Sequence, residues 1–121
     1  MKRMLIIDDE EPSLIITKAT LELLGILADC AFDRFEAIKM SREGNYDGYF
    51  LDDSVNGDVE GRSLGWAIQE RHGERGIPII WHSGKYRDFY PGPNGGFTGY
   101  LCKPWNPEQI EKVLREQNLI K

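Results

Sequence analysis

Carboxylates occur in two short clusters in this sequence, and a hydroxyl and a lysine follow later apolar runs. The first cluster spans Asp8 to Glu11, and the second is Asp52 with Asp53. Carboxylates this close repel one another, and a hard divalent cation lowers that cost when it binds their oxygens. Oxygen ligands alone favour Mg²⁺ over softer metals. Ser83 and Lys103 add a hydroxyl and a compact positive charge, so the set predicts a site for a metal-bound phosphoryl group.

Each of these groups follows an apolar run that is typical of a buried strand. Strands are predicted at Met4 to Ile7, Ile26 to Phe32, Tyr49 to Leu51, Ile77 to Trp81 and Tyr100 to Cys102. Segments with helical spacing separate the strands, and this alternation predicts an α/β fold, a doubly wound parallel sheet with helices on both faces. In such sheets the working site lies beyond the carboxyl ends of the strands. The acids, the serine and the lysine are therefore expected at one edge of the sheet.

The helices are placed by their start and stop residues. Pro12 suits a first helical turn, and Gly25 ends that helix. The stripe of this helix that is expected to be buried comprises Ile15, Ile16, Ala19 and Leu23. Further helices are predicted from about Arg34 to Glu43, after Gly61, and from the capping residue Asn106.

Composition and charge exclude several classes of function. A chain of 121 residues suits one domain, 1–121. A net charge of −5 argues against direct binding of nucleic acid. No apolar run approaches the roughly 20 residues that cross a bilayer, so we expect no membrane association and a cytoplasmic location. Cys30 and Cys102 lie in no redox or zinc pattern and are expected to be small buried residues.

Four motifs together resemble the receiver domain of response regulators, the CheY-like proteins of two-component signal transduction. They read LIIDDEEP, YDGYFLD, PIIWHSG and GYLCKPW, and they extend the resemblance over essentially the whole chain. The resemblance implies a flavodoxin-like fold with a five-stranded parallel sheet in the order 2-1-3-4-5.

The resemblance also implies how the acids act. Asp52 matches the phosphoacceptor, whose carboxylate attacks phosphorus and forms an acyl phosphate. Mg²⁺ is implied to be held by Asp8, Asp9 and Asp52, with the backbone carbonyl of Ser54 as a further ligand.

Three residues from the last two strands complete the implied site. Ser83 takes the position of the switch hydroxyl, and Lys103 pairs with a phosphoryl oxygen. Tyr100 matches the aromatic side chain that rotates between exposed and buried states. The bond between Lys103 and Pro104 is one that admits the cis form.

Two neighbouring aspartates compete for the role of acceptor. Gly61 lies eight residues after Asp53, the spacing usual in the family, and nine after Asp52. The strand ending at Leu51 matches the family only if the acceptor is Asp52, and alternation along a strand directs neighbouring side chains to opposite faces. We therefore assign the acceptor to Asp52, with one extra residue in the loop from Ser54 to Glu60.

The stretch from Gly84 to Gly96 departs from the family. It contains two prolines and four glycines, so at most one helical turn, about Lys85 to Phe89, is expected where receiver domains have their fourth helix. That helix is predicted to be short or missing. Three aromatic residues then either offer anchors to a partner or pack the loop down: Tyr86, Phe89 and Tyr90.

The expected function is that of a stand-alone response regulator receiver in a phosphorelay, not of a turnover enzyme. A histidine kinase or histidine phosphotransfer protein is the expected donor, and a downstream protein is the expected target. The alternative is a receiver-like binding scaffold that works without phosphorylation. A phosphohydrolase of the haloacid-dehalogenase kind needs a second aspartate two residues after the nucleophile, where this chain has Ser54.

Overall fold

The computed structural model of the chain describes residues 1–52, 60–72, 76–83 and 96–121. These residues form five strands and four helices in alternating order except between the last two strands. The strands are β1 (Arg3–Ile7), β2 (Leu27–Ala31), β3 (Gly48–Asp52), β4 (Ile79–Ser83) and β5 (Gly99–Cys102). The helices are α1 (Glu11–Leu23), α2 (Arg34–Glu43), α3 (Glu60–His72) and α4 (Pro107–Glu116).

The five strands form one sheet in the order β2-β1-β3-β4-β5, and every neighbouring pair is parallel. This confirms both the doubly wound class and the strand order that the family resemblance implied. Asp52 is in register with His82, and Ser83 with Cys102. The carboxyl ends of β1, β3, β4 and β5 therefore meet at one edge, where the candidate residues stand.

The two faces of the sheet carry separate cores, because successive side chains of a strand point to opposite faces. One core packs residues of β1 and β3 against α1 and α4, and the other packs the alternate residues against α2 and α3. The fully buried strand residues of the first include Met4, Ile6, Phe50 and Ile80, and those of the second include Leu5, Ile7, Tyr49, Leu51 and Ile79.

The buried face of α1 differs from the predicted one. Its buried residues are Leu14, Thr17 and Leu21. The predicted stripe lies outward: Ile15 is 60% exposed, Ile16 58% and Leu23 88%, and Ala19 is exposed as well. The prediction was wrong because apolar residues occupy two adjacent stripes of this helix, and the sheet contacts only the one that starts at Leu14.

Helix α4 begins as the sequence predicted. The Asn106 side chain accepts a hydrogen bond from the Gln109 amide at 2.9 Å, and the Gln109 side chain accepts one from the Asn106 amide at 2.8 Å, which forms a capping box. Its buried side consists of Ile110, Val113 and Leu114. None of the helices in the described part of the chain is long and apolar enough to cross a membrane.

The two cysteines lie on the outermost strands of the sheet, Cys30 on β2 and Cys102 on β5. Both are half-buried, and neither forms a disulfide bond. The predicted full burial was therefore wrong, since an edge strand is covered less completely than a central one.

The chain rejoins the sheet at Gly96, which lies directly against α3. One amide side chain holds this junction: Gln69 donates to the carbonyl oxygens of Ile77 (2.7 Å) and Gly96 (2.9 Å) and accepts from the Ile77 amide (3.0 Å). Phe97 is buried beside Trp81, with 6.2 Å between the ring centroids. The predicted loss of the family's fourth helix, and the predicted aromatic anchors, fall outside the described residues.

Candidate functional site

The first acidic cluster follows β1 and brings three carboxylates together. One oxygen from each of Asp8, Asp9 and Glu10 lies within 4.8 Å of the others. Asp8 is fully buried, whereas Asp9 and Glu10 are exposed. The Glu10 amide donates to Asp8 Oδ1 at 3.0 Å, which fixes the buried carboxylate at the start of α1. An oxygen-only set with an open side fits a hard divalent cation such as Mg²⁺.

Lys103 connects this cluster to the end of β3. Its Nζ lies 2.8 Å from Asp8 Oδ2 and 3.5 Å from Asp52 Oδ1. The side chains of Asp8 and Asp52 are 1% and 5% exposed, and that of Lys103 is 20% exposed. Residues far apart in the sequence thus form one charged group, and the Lys103-Pro104 bond beside it is cis.

The pKa values of Asp8 and Lys103 reflect their pairing. Burial alone raises the pKa of Asp8, but hydrogen bonds from the Lys103 ammonium and the Glu10 amide outweigh it and hold that pKa below its ordinary value. Burial alone lowers the pKa of Lys103, but the hydrogen bond to Asp8 and the charge of Asp52 raise it overall. Each charge therefore stabilises the other in a partly desolvated site.

Ser83 lies at the end of β4, and Tyr100 lies on β5, the strand that precedes Lys103. Ser83 is fully buried at the end of β4, and its carbonyl oxygen accepts the Lys103 amide at 2.7 Å. Tyr100 is half-buried on β5, and its ring centroid lies 5.7 Å from that of Trp81. Trp81 precedes Ser83 by two residues on the same face of β4 and lies beside Tyr100.

Solved structures with the same fold identify the family. A two-component response regulator from Clostridium difficile is 30% identical, with 98% of this chain and 99% of that chain covered and a TM-score of 0.81. The chain belongs to the response regulator receiver domains. The response regulator TrrA from Thermotoga maritima, solved in complex with Mg²⁺-BeF, is 24% identical, covers 97% of this chain and 99% of that one, and has a TM-score of 0.83.

The receiver domain also resembles a longer protein. The probable transcriptional regulator ycf29 of Porphyra purpurea is 28% identical over 115 residues, which is 91% of this chain and 54% of that protein. The chain therefore spans about half the length of the curated relative that it matches. No family model matches the chain.

The structure adds two residues to the set that the family resemblance implied for the site. Glu10, which the sequence placed in the first acidic cluster but not among the implied ligands, belongs to the carboxylate group that includes Asp8 and Asp9. His82 is 1% exposed and accepts the Trp105 indole N–H at 2.8 Å. Its position between the end of an apolar strand and Ser83 is the signal that could have pointed to it.

Burial is also the main cause of the low pKa of His82. Together with the positive charge of Lys103, and against the charge of Asp8, it lowers this pKa from 6.5 to about 3. The imidazole is therefore neutral near neutral pH. A neutral ring has one accepting nitrogen, and here the indole N–H occupies it.

We expect His82 to make the receiver domain less stable in mild acid. Its folded pKa lies below the ordinary value of 6.5, so the unfolded chain binds a proton that the folded chain does not as the pH falls through this window. Between about pH 7 and about pH 5 this linkage removes about 2 kcal/mol of unfolding free energy. Urea titrations at the two pH values should show that His82→Leu loses less unfolding free energy in acid than the wild type, by about that amount. Parallel curves for the two proteins would contradict the assignment. His72→Gln is the comparison: burial lowers the pKa of His72 too, but this side chain is only half-buried, so its replacement should reduce the acid loss less than His82→Leu does.

Two of the predicted site residues fall outside the described part of the chain, namely Ser54 and the rival acceptor Asp53. Asp52 is the last residue of β3 and is 4% exposed, on the same side of the sheet as His82. The structure therefore brings together Asp8, Asp52, Ser83 and Lys103 at one edge, with the exposed Asp9 beside them.

Proposed function

We propose that this receiver domain accepts a phosphoryl group on Asp52 from a phosphohistidine of a partner protein. The observation that carries the proposal is the shared contact of one ammonium with two buried carboxylates, Lys103 with Asp8 and Asp52. Apolar residues could fill the same space at a lower cost in free energy, so packing does not explain why charged residues stand here. The charged group does supply a carboxylate that can attack phosphorus and an ammonium that can neutralise a phosphoryl oxygen.

The transfer uses Asp52 as the nucleophile. One carboxylate oxygen attacks phosphorus, a new O–P bond forms, and the N–P bond of the donor breaks with its electron pair returning to the imidazole. Lys103 then neutralises an oxygen of the phosphoryl group as a compact point charge. Its position between Asp8 and Asp52 supports this role, since it needs little movement to reach a group attached to Asp52.

Mg²⁺ is the proposed metal, held by Asp8, Asp9 and Asp52 with the backbone carbonyl of Ser54. When bound, it offsets the negative charge of the phosphoryl oxygens during transfer. The oxygen-only character of the cluster favours this ion. The TrrA structure, which holds Mg²⁺-BeF, provides an example of such a complex on this fold.

The signal is proposed to leave the site through Ser83 and Tyr100. The Ser83 hydroxyl donates a hydrogen bond to the new phosphoryl group, which shifts the end of β4. Trp81 on the same strand transmits this shift to Tyr100. Tyr100 is half-buried and is the partner of Trp81 on the neighbouring strand. Phosphorylation then shifts an existing equilibrium between two surfaces, and a downstream protein binds one of them.

Intact mass tests the proposal directly. Incubation with Mg²⁺ and a small phosphodonor should add the mass of one phosphoryl group, and EDTA should prevent the addition. Asp52→Asn should abolish the adduct, and Asp53→Asn should retain it. An adduct that survives in Asp52→Asn and disappears in Asp53→Asn would move the acceptor to Asp53. No adduct in any protein would leave a binding scaffold that works without phosphorylation.

A further inference from the structure

Trp105 directly follows the Lys103-Pro104 bond, and its orientation is set by His82. The indole Nε1–H donates to His82 Nε2 at 2.8 Å, and the ring centroids are 6.3 Å apart. An indole N–H is a donor only, so His82 Nε2 is the acceptor in this bond. The His82 ring packs edge-on against the ring of Phe50, with 5.6 Å between the two centroids.

A second hydrogen bond holds the other end of the same tripeptide. The Lys103 amide donates to the Ser83 carbonyl at 2.7 Å. Pro104 has no N–H to contribute. Two consecutive residues of β4, His82 and Ser83, therefore hold the two ends of the Lys103-Pro104-Trp105 segment.

Packing against the core covers only part of the half-buried Trp105 side chain. Another part lines a cavity of about 270 Å³ that reaches Ile16 and Thr17 of α1. Next to this open space, the bond to His82 is the directional contact that fixes the orientation of the indole.

We propose that His82 is a positioning residue for Lys103. By accepting the Trp105 indole, it holds the segment that carries Lys103, so that the ammonium lies between Asp8 and Asp52. The role of Lys103 toward a phosphoryl group rests on the proposed function. The fixation of the Lys103-Pro104-Trp105 segment by His82 does not depend on it. An apolar residue in place of His82 would fill the core and leave the segment with one anchor.

Amide hydrogen exchange tests the holding of the segment without any phosphoryl chemistry. In His82→Leu the Lys103 amide should exchange about tenfold faster than in the wild type, because one buried hydrogen bond is worth about that factor. Trp105→Phe removes the donor of the same hydrogen bond, so its Lys103 amide should exchange as fast as in His82→Leu. This variant replaces His82→Leu in the test if His82→Leu does not fold. His82→Gln offers a carbonyl acceptor and should stay within about threefold of the wild type. Ile79→Val, buried on the opposite face of β4, is the control for general loss of core packing.

Binding of beryllofluoride with Mg²⁺, followed by fluorine NMR, tests the consequence for Lys103. The affinity should fall about tenfold in His82→Leu and Trp105→Phe and stay within about twofold in Ile79→Val. Unchanged Lys103 amide exchange in His82→Leu would overturn the inference, and so would faster exchange with unchanged affinity. A wild-type protein that binds no beryllofluoride would instead refute the proposed function, and the exchange rates alone would then decide whether His82 positions the segment.

Discussion

Lys103→Met is expected to lower the unfolding free energy at neutral pH by about 4 kcal/mol in the absence of Mg²⁺. The variant keeps most of the side-chain volume but removes the ammonium that Asp8 and Asp52 share at 2.8 and 3.5 Å. Removing one partner of a buried ion pair costs about 3 to 5 kcal/mol, since the other charge stays desolvated. Urea titration measures the loss. Uptake of a phosphoryl group should slow by about a hundredfold or more, if Lys103 stabilises it as proposed.

The pH dependence of this loss separates charge from packing. The folded pKa of Asp8 lies below its ordinary value of 3.8, so the pair stabilises the fold above about pH 4 and loses that contribution as the pH falls through the folded pKa. The pKa of Lys103 is raised above 10.5, so its contribution is complete below that pH and is lost as the pH rises through the folded value. The gap between the two proteins should therefore close in acid. Lys112→Met, on the exposed side of α4, should change stability by less than about 0.5 kcal/mol. A gap that stays constant as the pH falls through the folded pKa of Asp8 would mean that lost packing, not charge, causes the effect.

Gly96→Ala is expected to destabilise the fold by about 3 to 4 kcal/mol. Gly96 has a φ of +83°, where any side chain costs about 1 to 2 kcal/mol. A Cβ there would also lie 2.9 Å from the backbone carbon and oxygen of Gly65 on α3, and neither atom can move without moving the helix. Overpacking of that kind adds about 1 to 3 kcal/mol. Thermal or urea unfolding measures the sum.

Gly25 offers a matched control for the backbone part of this cost. Its φ of +84° is nearly the same, but no atom lies within 4 Å of the position that a Cβ would take. Gly25→Ala should therefore cost only the backbone strain, about 1 to 2 kcal/mol. Equal losses in the two variants would show that the contact between Gly96 and Gly65 is not close in solution.

Much of the site could be predicted because it depends on strand ends. Apolar runs that stop at Asp8, Asp52, Ser83 and Lys103 imply one sheet edge once the strands are parallel, and the parallel order follows from the alternation of elements. The contact between Lys103 and Asp8, 95 residues apart, needed no more than that order. Individual distances could not be predicted, since they depend on the loop that follows β5.

The buried face of α1 could not be predicted from spacing. Leu14 and Leu21 form one stripe with Thr17 between them, and Ile15 belongs to a neighbouring stripe that is at least as apolar. Hydrophobic content favours the second stripe, because a threonine interrupts the first. The direction in which the chain leaves β1 decides between them, and that direction is a property of the folded sheet.

The hydrogen bond between Trp105 and His82 could not be predicted from the sequence for a different reason. Alternation predicts that His82 and Ser83 point to opposite faces, but not which partner meets His82. The hydrogen-bond partner of His82 is Trp105, which lies in the segment after β5. The register between β3 and β4 determines that Asp52 lies beside His82. A lone histidine in an apolar strand is therefore a weak signal until that register is known.

The single amide of Gln69 has a consequence for the connection between β4 and β5. It holds the backbone at Ile77, just before β4, and at Gly96, just before β5. The alignment of the last two strands is thus secured in part from α3. Since loop closure costs only about 0.6 kcal/mol for each doubling of length, a longer or shorter connection between β4 and β5 should change the folding free energy little as long as this junction persists.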